Sequence, residues 1–144
     1  MPVFPNKVQN LQQIGPIIEV ILVPPPPVIA QLKSEGKKPP SKKVIALIDT
    51  GASGSCINEP ISKELGLIVR DIVPVQTPSG TTQQGVFDVG FLLILPRIMT
   101  QPILIQALGS DLKNQPYQAL IGRDILSYCT LIYNGWDNSY QLHI

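Results

Sequence analysis

The chain reads as mostly β, with a closed or sandwich-like core. Apolar runs of strand length recur along it, bounded by proline, glycine and asparagine, and the helical spacings between them are short. Its 144 residues suit one compact domain and are too few for two ordinary ones. With 44% apolar and only 15% charged residues, it has material for a core and unusual apolar surface besides, which a homo-oligomer would bury.

The opening MPVFPNKVQNLQQIGP lacks periodicity and is rich in Pro, Gln and Asn, so residues 1–16 are expected to form an irregular arm ahead of a domain spanning 17–144. PIIEVILV then reads as a strand, stopped by Pro24 to Pro27, which lack the backbone donor a sheet needs. Val28, Ile29 and Leu32 fall at helical spacing, with proline before and Gly36 after, giving a short helix. VIALI is a continuous apolar run that predicts a strand buried on both faces. EPISKELGL predicts one short helix closed by Gly66. IVRDIVPVQT and GVFDVGFLLIL, separated by PSGTTQQ, predict a long hairpin with a hydroxyl-rich tip. PILIQAL and QALIG follow as strands, RDILSYC as a short helix with Asp124 in its first turn, and TLIYNGWDNSYQLHI as a closing hairpin. Trp136 and Tyr140 in that hairpin are read as core or dimer-contact residues.

Charge and composition exclude several classes of function. A net charge of +1 gives no long-range attraction to nucleic acid or an anionic membrane. Lys37, Lys38, Lys42 and Lys43 cluster, either as a solvated loop or as a small polyanion patch. Two cysteines, Cys56 and Cys129, and a single histidine, His143, make neither a disulfide framework nor a metal signature, so no metal or cofactor is expected. Ordinary thiols in a reducing compartment fit better. IIEVILV is too short to span a bilayer, and a cytoplasmic location is expected.

The chemistry centres on VIALIDTGASGSC, residues 44–56, where an apolar strand ends in a carboxylate, a hydroxyl and a glycine. Alone, an aspartate at a strand end is usually a turn former. The context adds a second apolar-apolar-glycine segment, ALIGRDIL, near the chain end.

ALIDTGAS together with ALIGRDIL resembles the retropepsin-like aspartic proteases, the family of the retroviral protease and its cellular and bacterial relatives, with the likeness spanning Ile17 to Ile144. The resemblance implies a closed acid-protease β-barrel with a flap hairpin and a few short helices, one domain per chain. It also implies a cofactor-free peptide hydrolase with Asp49 as the catalytic carboxylate. Two carboxylates held close together cannot both ionise cheaply, so they share a proton; one takes a proton from water while the other donates to the scissile carbonyl. A bell-shaped pH dependence belonging to the pair follows. The chain holds one Asp-Thr-Gly, and RDIV, FDVG, GRDIL and WDNSY do not repeat its frame, so the dyad needs a second copy of the chain.

By the same resemblance, Thr50 bonds across to the partner loop, Gly51 lets backbone approach the substrate, and Ala52 and Ser53 line the floor. Viral members often carry an acid at the position of Ser53, paired with the arginine that matches Arg123. Here that arginine must find another acid or a C-terminal group, and it reads as structural. Ser79, Gly80, Thr81 and Thr82 are the expected flap residues that donate to a bound peptide, against an ordinary polar loop. Gly122 is expected to pack closely behind the catalytic loop. Terminal strands often make the dimer contacts in related chains, and SYQLHI is the candidate here. The alternative to a homodimeric endopeptidase acting on a peptide or protein substrate is a weak or inactive dimerisation or peptide-binding module on the same fold.

Overall fold

The computed structural model describes residues 3–7, 9–95 and 97–144. In chain order its elements are β1 (Val3–Lys7), α1 (Leu11–Ile14), β2 (Ile17–Val23), α2 (Pro26–Ser34), β3 (Lys42–Ile48), β4 (Cys56–Asn58), α3 (Glu59–Glu64), β5 (Val69–Thr77), β6 (Gly80–Leu95), β7 (Arg97–Ile98), β8 (Ile103–Ser110), β9 (Ala119–Ile121), α4 (Arg123–Leu126), β10 (Thr130–Asn134) and β11 (Ser139–His143).

The larger sheet is mostly antiparallel and returns to its start. Its pairings run β2-β3-β9-β4-β8-β6, and β6 pairs back onto β2 between Val20↔Leu93 and Val23↔Gly90. The resulting circuit has an inside, and alternate residues fill it: Ile18, Val20 and Leu22 from β2, Val44, Ala46 and Ile48 from β3, Val89, Phe91, Leu93 and Leu95 from β6. With Ile57, Ile121 and Ile125 they belong to one buried cluster, and each large side chain of this kind contributes about 1.5–3 kcal/mol on burial. The mostly β, barrel-like architecture expected from the sequence is the one observed.

β3 departs from expectation. Its burial alternates instead of covering both faces, and Ile45 is 40% exposed. The reason is topological: β3 sits in the wall of a barrel, where only the inward face is lined by other strands.

β6 has two halves. Its C-terminal half is barrel wall, whereas its first residues, Gly80–Gln83, are exposed and pair with β5 as a projecting hairpin. The turn is tighter than PSGTTQQ suggested, because Thr77 pairs with Gly80 and leaves only Pro78 and Ser79 between the strands. Proline presets the backbone of the first turn residue, and the Thr77 hydroxyl donates to the Gly80 carbonyl at 2.7 Å. Arg70 is skipped by the pairing, a bulge that turns its guanidinium onto Asp88 at 2.8 Å.

The opening segment, expected to be irregular, contributes β1, paired antiparallel with β11 from Val3↔His143 to Lys7↔Ser139. Met1, Pro2 and Val8 of that arm lie outside the described residues. β11 also pairs with β10, so the second sheet runs β1-β11-β10. SYQLHI, the segment expected at a dimer contact, therefore has a neighbour along each edge, and the outer strands of this sheet are β1 and β10. Tyr140 is fully buried, its hydroxyl donating to the Ile17 carbonyl and tying the small sheet to the barrel. Trp136 instead stands 86% exposed in the β10–β11 turn.

The lysine cluster is largely neutralised: Lys37 pairs with Glu35, Lys42 with Glu64 and Lys43 with Glu19. That leaves little net field for a polyanion. Among the described residues no helix is long and apolar enough to cross a membrane, and no group of three or more His, Cys, Asp or Glu is placed to hold a metal ion.

Candidate active site

β3 hands its last hydrogen bond to the loop that follows: the Asp49 amide donates to the Ile121 carbonyl of β9 at 2.9 Å. The loop then folds on the carboxylate itself. Asp49 Oδ1 accepts from the Gly51 amide at 2.9 Å, and the Asp49 carbonyl accepts from the Ala52 amide at 3.2 Å. Asp49 thus does cap its own turn, but with one oxygen only; among the described residues Oδ2 has no hydrogen bond. A side chain at Gly51 would bring its Cβ to 3.2 Å from Asp49 Oδ1 and crowd the group.

Behind the loop lies the Gly122-Arg123-Asp124 segment, which holds it at successive points. The Arg123 amide donates to the Ala52 carbonyl at 2.9 Å, and Arg123 Nη1 donates to the Thr50 carbonyl at 2.8 Å. The guanidinium has thus taken a backbone oxygen in place of the acid or C-terminal group expected for it. A Cβ on Gly122 would stand 2.5 Å from the carbonyl carbon and oxygen of Gly54 and 3.0 Å from the Ala52 oxygen, so only glycine lets the two backbones meet.

A polar relay closes the arrangement. The buried Gly122 amide donates to Ser55 Oγ at 2.9 Å, and Ser55 Oγ donates to Asp124 Oδ1 at 2.7 Å. Asp124 also accepts from the amides of Ser55, at 3.0 Å, and Ile125, at 2.8 Å. Sequence reasoning gave Asp124 only a helix-dipole role and passed over Ser55. The signal available was a hydroxyl residue placed directly before a strand that pairs with the Ala-Leu-Ile segment.

Asp49, Gly51, Ala52 and Ser53 come together on the floor of an open cleft of about 700 Å³. The cleft continues over Gly54, Ser55 and Cys56 and is walled by Val75 and Gln76 of β5, Val86 of β6, and Gln106 and Leu108 of β8. The hairpin reaches the cleft through its first strand, at Val75 and Gln76 near the tip. Ser79, Gly80, Thr81 and Thr82 are not among the residues that line the cleft, although Thr82 and Thr81 share rungs of the ladder with Val75 and Gln76, which do. Cys56 is the one titratable wall residue besides Asp49. Burial pushes its thiol above the ordinary value of 9.0; a hydrogen bond with Ser110 opposes this, and the nearby Asp124 and Asp49 carboxylates add to it.

Thr50 faces elsewhere. It borders a separate cavity of about 340 Å³ with Arg123, Leu126, Ser127, Cys129 and Leu131. The Cys129 thiol is likewise raised by burial. Both cysteines are free.

A barrel with a projecting hairpin, an Asp-Thr-Gly loop on the floor of its cleft and a glycine-arginine segment threaded behind that loop has the organisation of the retropepsin-like aspartic proteases. A model of the aspartyl protease family matches residues 30–125, and the chain belongs to that family. Among solved structures it is similar to the protease of simian foamy virus (mac), determined in solution, with 18% identity over 78% of this chain and 93% of that chain and a TM-score of 0.47. No curated protein matches it.

Proposed function

We propose that the protein is a homodimeric aspartic endopeptidase in which two Asp49 carboxylates, one from each chain, activate water against an extended peptide. The observation that carries this is the position of Asp49: one oxygen fixes the loop, and the residue lies on the floor of an open cleft of about 700 Å³. Asp49 is the only carboxylate among the residues that line this cleft.

In the reaction, one Asp49 removes a proton from water as the water oxygen bonds to the scissile carbonyl carbon, and the other gives its proton to the carbonyl oxygen. Collapse of the tetrahedral diol breaks the carbon–nitrogen bond: the carboxyl that took the proton from water passes it to the leaving nitrogen, and one diol hydroxyl gives its proton back to the other Asp49 as the carboxylic acid forms, which restores the shared proton. Ala52 and Ser53 supply floor contacts, Thr50 contacts the partner loop, and Gly122 and Arg123 support the loop from behind. Ser79, Gly80, Thr81 and Thr82 act as flap residues only if the hairpin bends toward the cleft when substrate enters.

The test is digestion of an unbiased peptide library by the wild type beside Asp49→Ala and Asp49→Asn. Cleavage by the wild type with loss in both variants is expected. Full activity in either variant would remove the proposal. Peptide binding by an uncleaving wild type would favour the alternative of a binding module.

A further inference from the structure

The cleft does not end at its β8 wall. Gln106 borders it and also borders another cavity of about 380 Å³, which is lined by Pro25, Pro26, Pro27, Asp88 and Leu104 as well. We infer that this cavity is a distal subsite for the substrate, taking a bulky uncharged apolar side chain of the same peptide, about four residues beyond the one that sits on Val86 and Leu108. It rests on the peptidase reading of the cleft and adds to that reading a determinant of which peptides are held.

Strand periodicity builds the path between the two cavities. Leu108, Gln106 and Leu104 alternate along the outer face of β8 and pair with Val86, Asp88 and Gly90 of β6. Val86 and Leu108 wall the cleft, Gln106 lies at the join, and Leu104 and Asp88 line the further cavity. From Leu108 to Leu104 is about 13 Å at ordinary strand rise, a length that an extended peptide laid along the row covers in four residues of its own. The row is closed at its far end: a Cβ on Gly90 would meet Val23 Cγ2 at 2.8 Å and Pro102 Cβ at 2.9 Å.

The prolines create the space. β2 pairs with β6 only as far as Val23↔Gly90, because Pro24 to Pro27 cannot supply the next backbone donors, and α2 begins at Pro26 instead. β5 reaches β6 from the other end only to Val69↔Phe87, so Asp88 falls in the gap where the edge partner of β6 changes. Chemistry then selects the occupant. Leu104 is 52% exposed, an apolar side chain left open beside proline rings. The Asp88 carboxylate is matched by Arg70 at 2.8 Å, so a charged side chain of either sign finds no unpaired partner there. What remains is apolar surface with the Gln106 amide at its rim, the composition of a side-chain pocket.

The test takes a peptide cut by the wild type, lengthens it at each end with a glycine and serine tail, and moves one leucine through the tail. The value of kcat/KM should peak with the leucine at one distal position, about five- to tenfold above the plain tail, as half-burying a leucine side chain would give. The gain should lie in KM with kcat unchanged, because the contact is made equally in the ground and transition states. Leu104→Lys, at an exposed position, should abolish the peak while cutting the unextended peptide as the wild type does. A scan that is flat beyond the cleft, or a peak that survives in Leu104→Lys, overturns the subsite and leaves the two-carboxylate reading standing. A wild type that cuts no peptide removes the catalytic reading, and the subsite is then decided by fluorescence anisotropy of labelled scan peptides: tighter binding with leucine at one distal position, lost in Leu104→Lys, supports it, and binding that does not depend on the leucine overturns it.

Discussion

Replacing Ser55 with alanine takes away one oxygen atom, and that oxygen is the middle of a three-group relay. Ser55 is 1% exposed, so water does not stand ready to replace it. The Gly122 amide loses its acceptor at 2.9 Å and becomes a buried unsatisfied donor, at a cost of about 1–3 kcal/mol. Asp124 loses a 2.7 Å charge-assisted bond, of the kind that contributes about 1.5–3 kcal/mol, though the amides of Ser55 and Ile125 still hold the carboxylate. These two losses share one atom and are not additive, so roughly 2–4 kcal/mol is expected in all. Against a total of about 5–15 kcal/mol the variant should still fold, with its urea midpoint clearly lowered at fixed protein concentration. The damage sits directly behind the Asp49 loop, so cleavage per folded molecule should fall as well. A loss below about 0.5 kcal/mol, the range of ordinary surface substitutions, would refute the claim that Ser55 pins the loop to the Gly122 segment.

Gly122→Ala should be more severe than a usual glycine replacement, because its Cβ would stand 2.5 Å from Gly54 backbone atoms that cannot rotate aside; a cost of about 3 kcal/mol or more is expected by denaturation, with Gly66→Ala, open at its Cβ but at positive φ, as a milder control. The two thiols give a pH prediction. Burial raises both in the folded chain, so the native state holds their protons more tightly than the unfolded state; this contribution is fully present below the ordinary value of 9.0 and is lost as pH rises from there through the folded values. Alkylation at pH 8 should accordingly be slower for the native chain than for the chain in urea, and equal rates would contradict the burial.

The strands were legible as apolar runs of strand length bounded by proline and glycine, but IIEVILV and FLLIL are apolar at nearly every position, so that Ile18, Val20 and Leu22, or Phe91 and Leu93, face inward is decided by the barrel and not by local pattern. The Asp49 loop was legible for a different reason: it is a local motif, and its bonds from Gly51 and Ala52 lie within a few residues. What escaped were matters of pairing. β1 offers no periodicity because its place is fixed by β11, more than a hundred residues away. The hairpin tip was overestimated because Thr81 and Thr82 look like loop residues in composition yet are held as strand by Gln76 and Val75 opposite. Asp124 and Ser55 are ordinary residues until the fold brings them within 2.7 Å.

Asp49 and Thr50 are consecutive, yet they border different cavities, one the cleft walled by the hairpin and β8 and the other the space leading to Leu131 of β10. A single turn therefore serves two surfaces, and its backbone is the link between them. Arg123 grips that link at the Thr50 carbonyl and, through its own amide, at the Ala52 carbonyl, so the Thr50 side of the loop cannot yield without disturbing Asp49. The arginine has a physical reason to be there with Ser53 in place of an acid: a guanidinium is always charged, and with no carboxylate bound to it, it can serve a backbone oxygen across the loop. If the chain acts as the dimeric peptidase proposed above, assembly and catalysis are coupled by geometry, because Thr50 on one surface and Asp49 on the other are held in the same short turn.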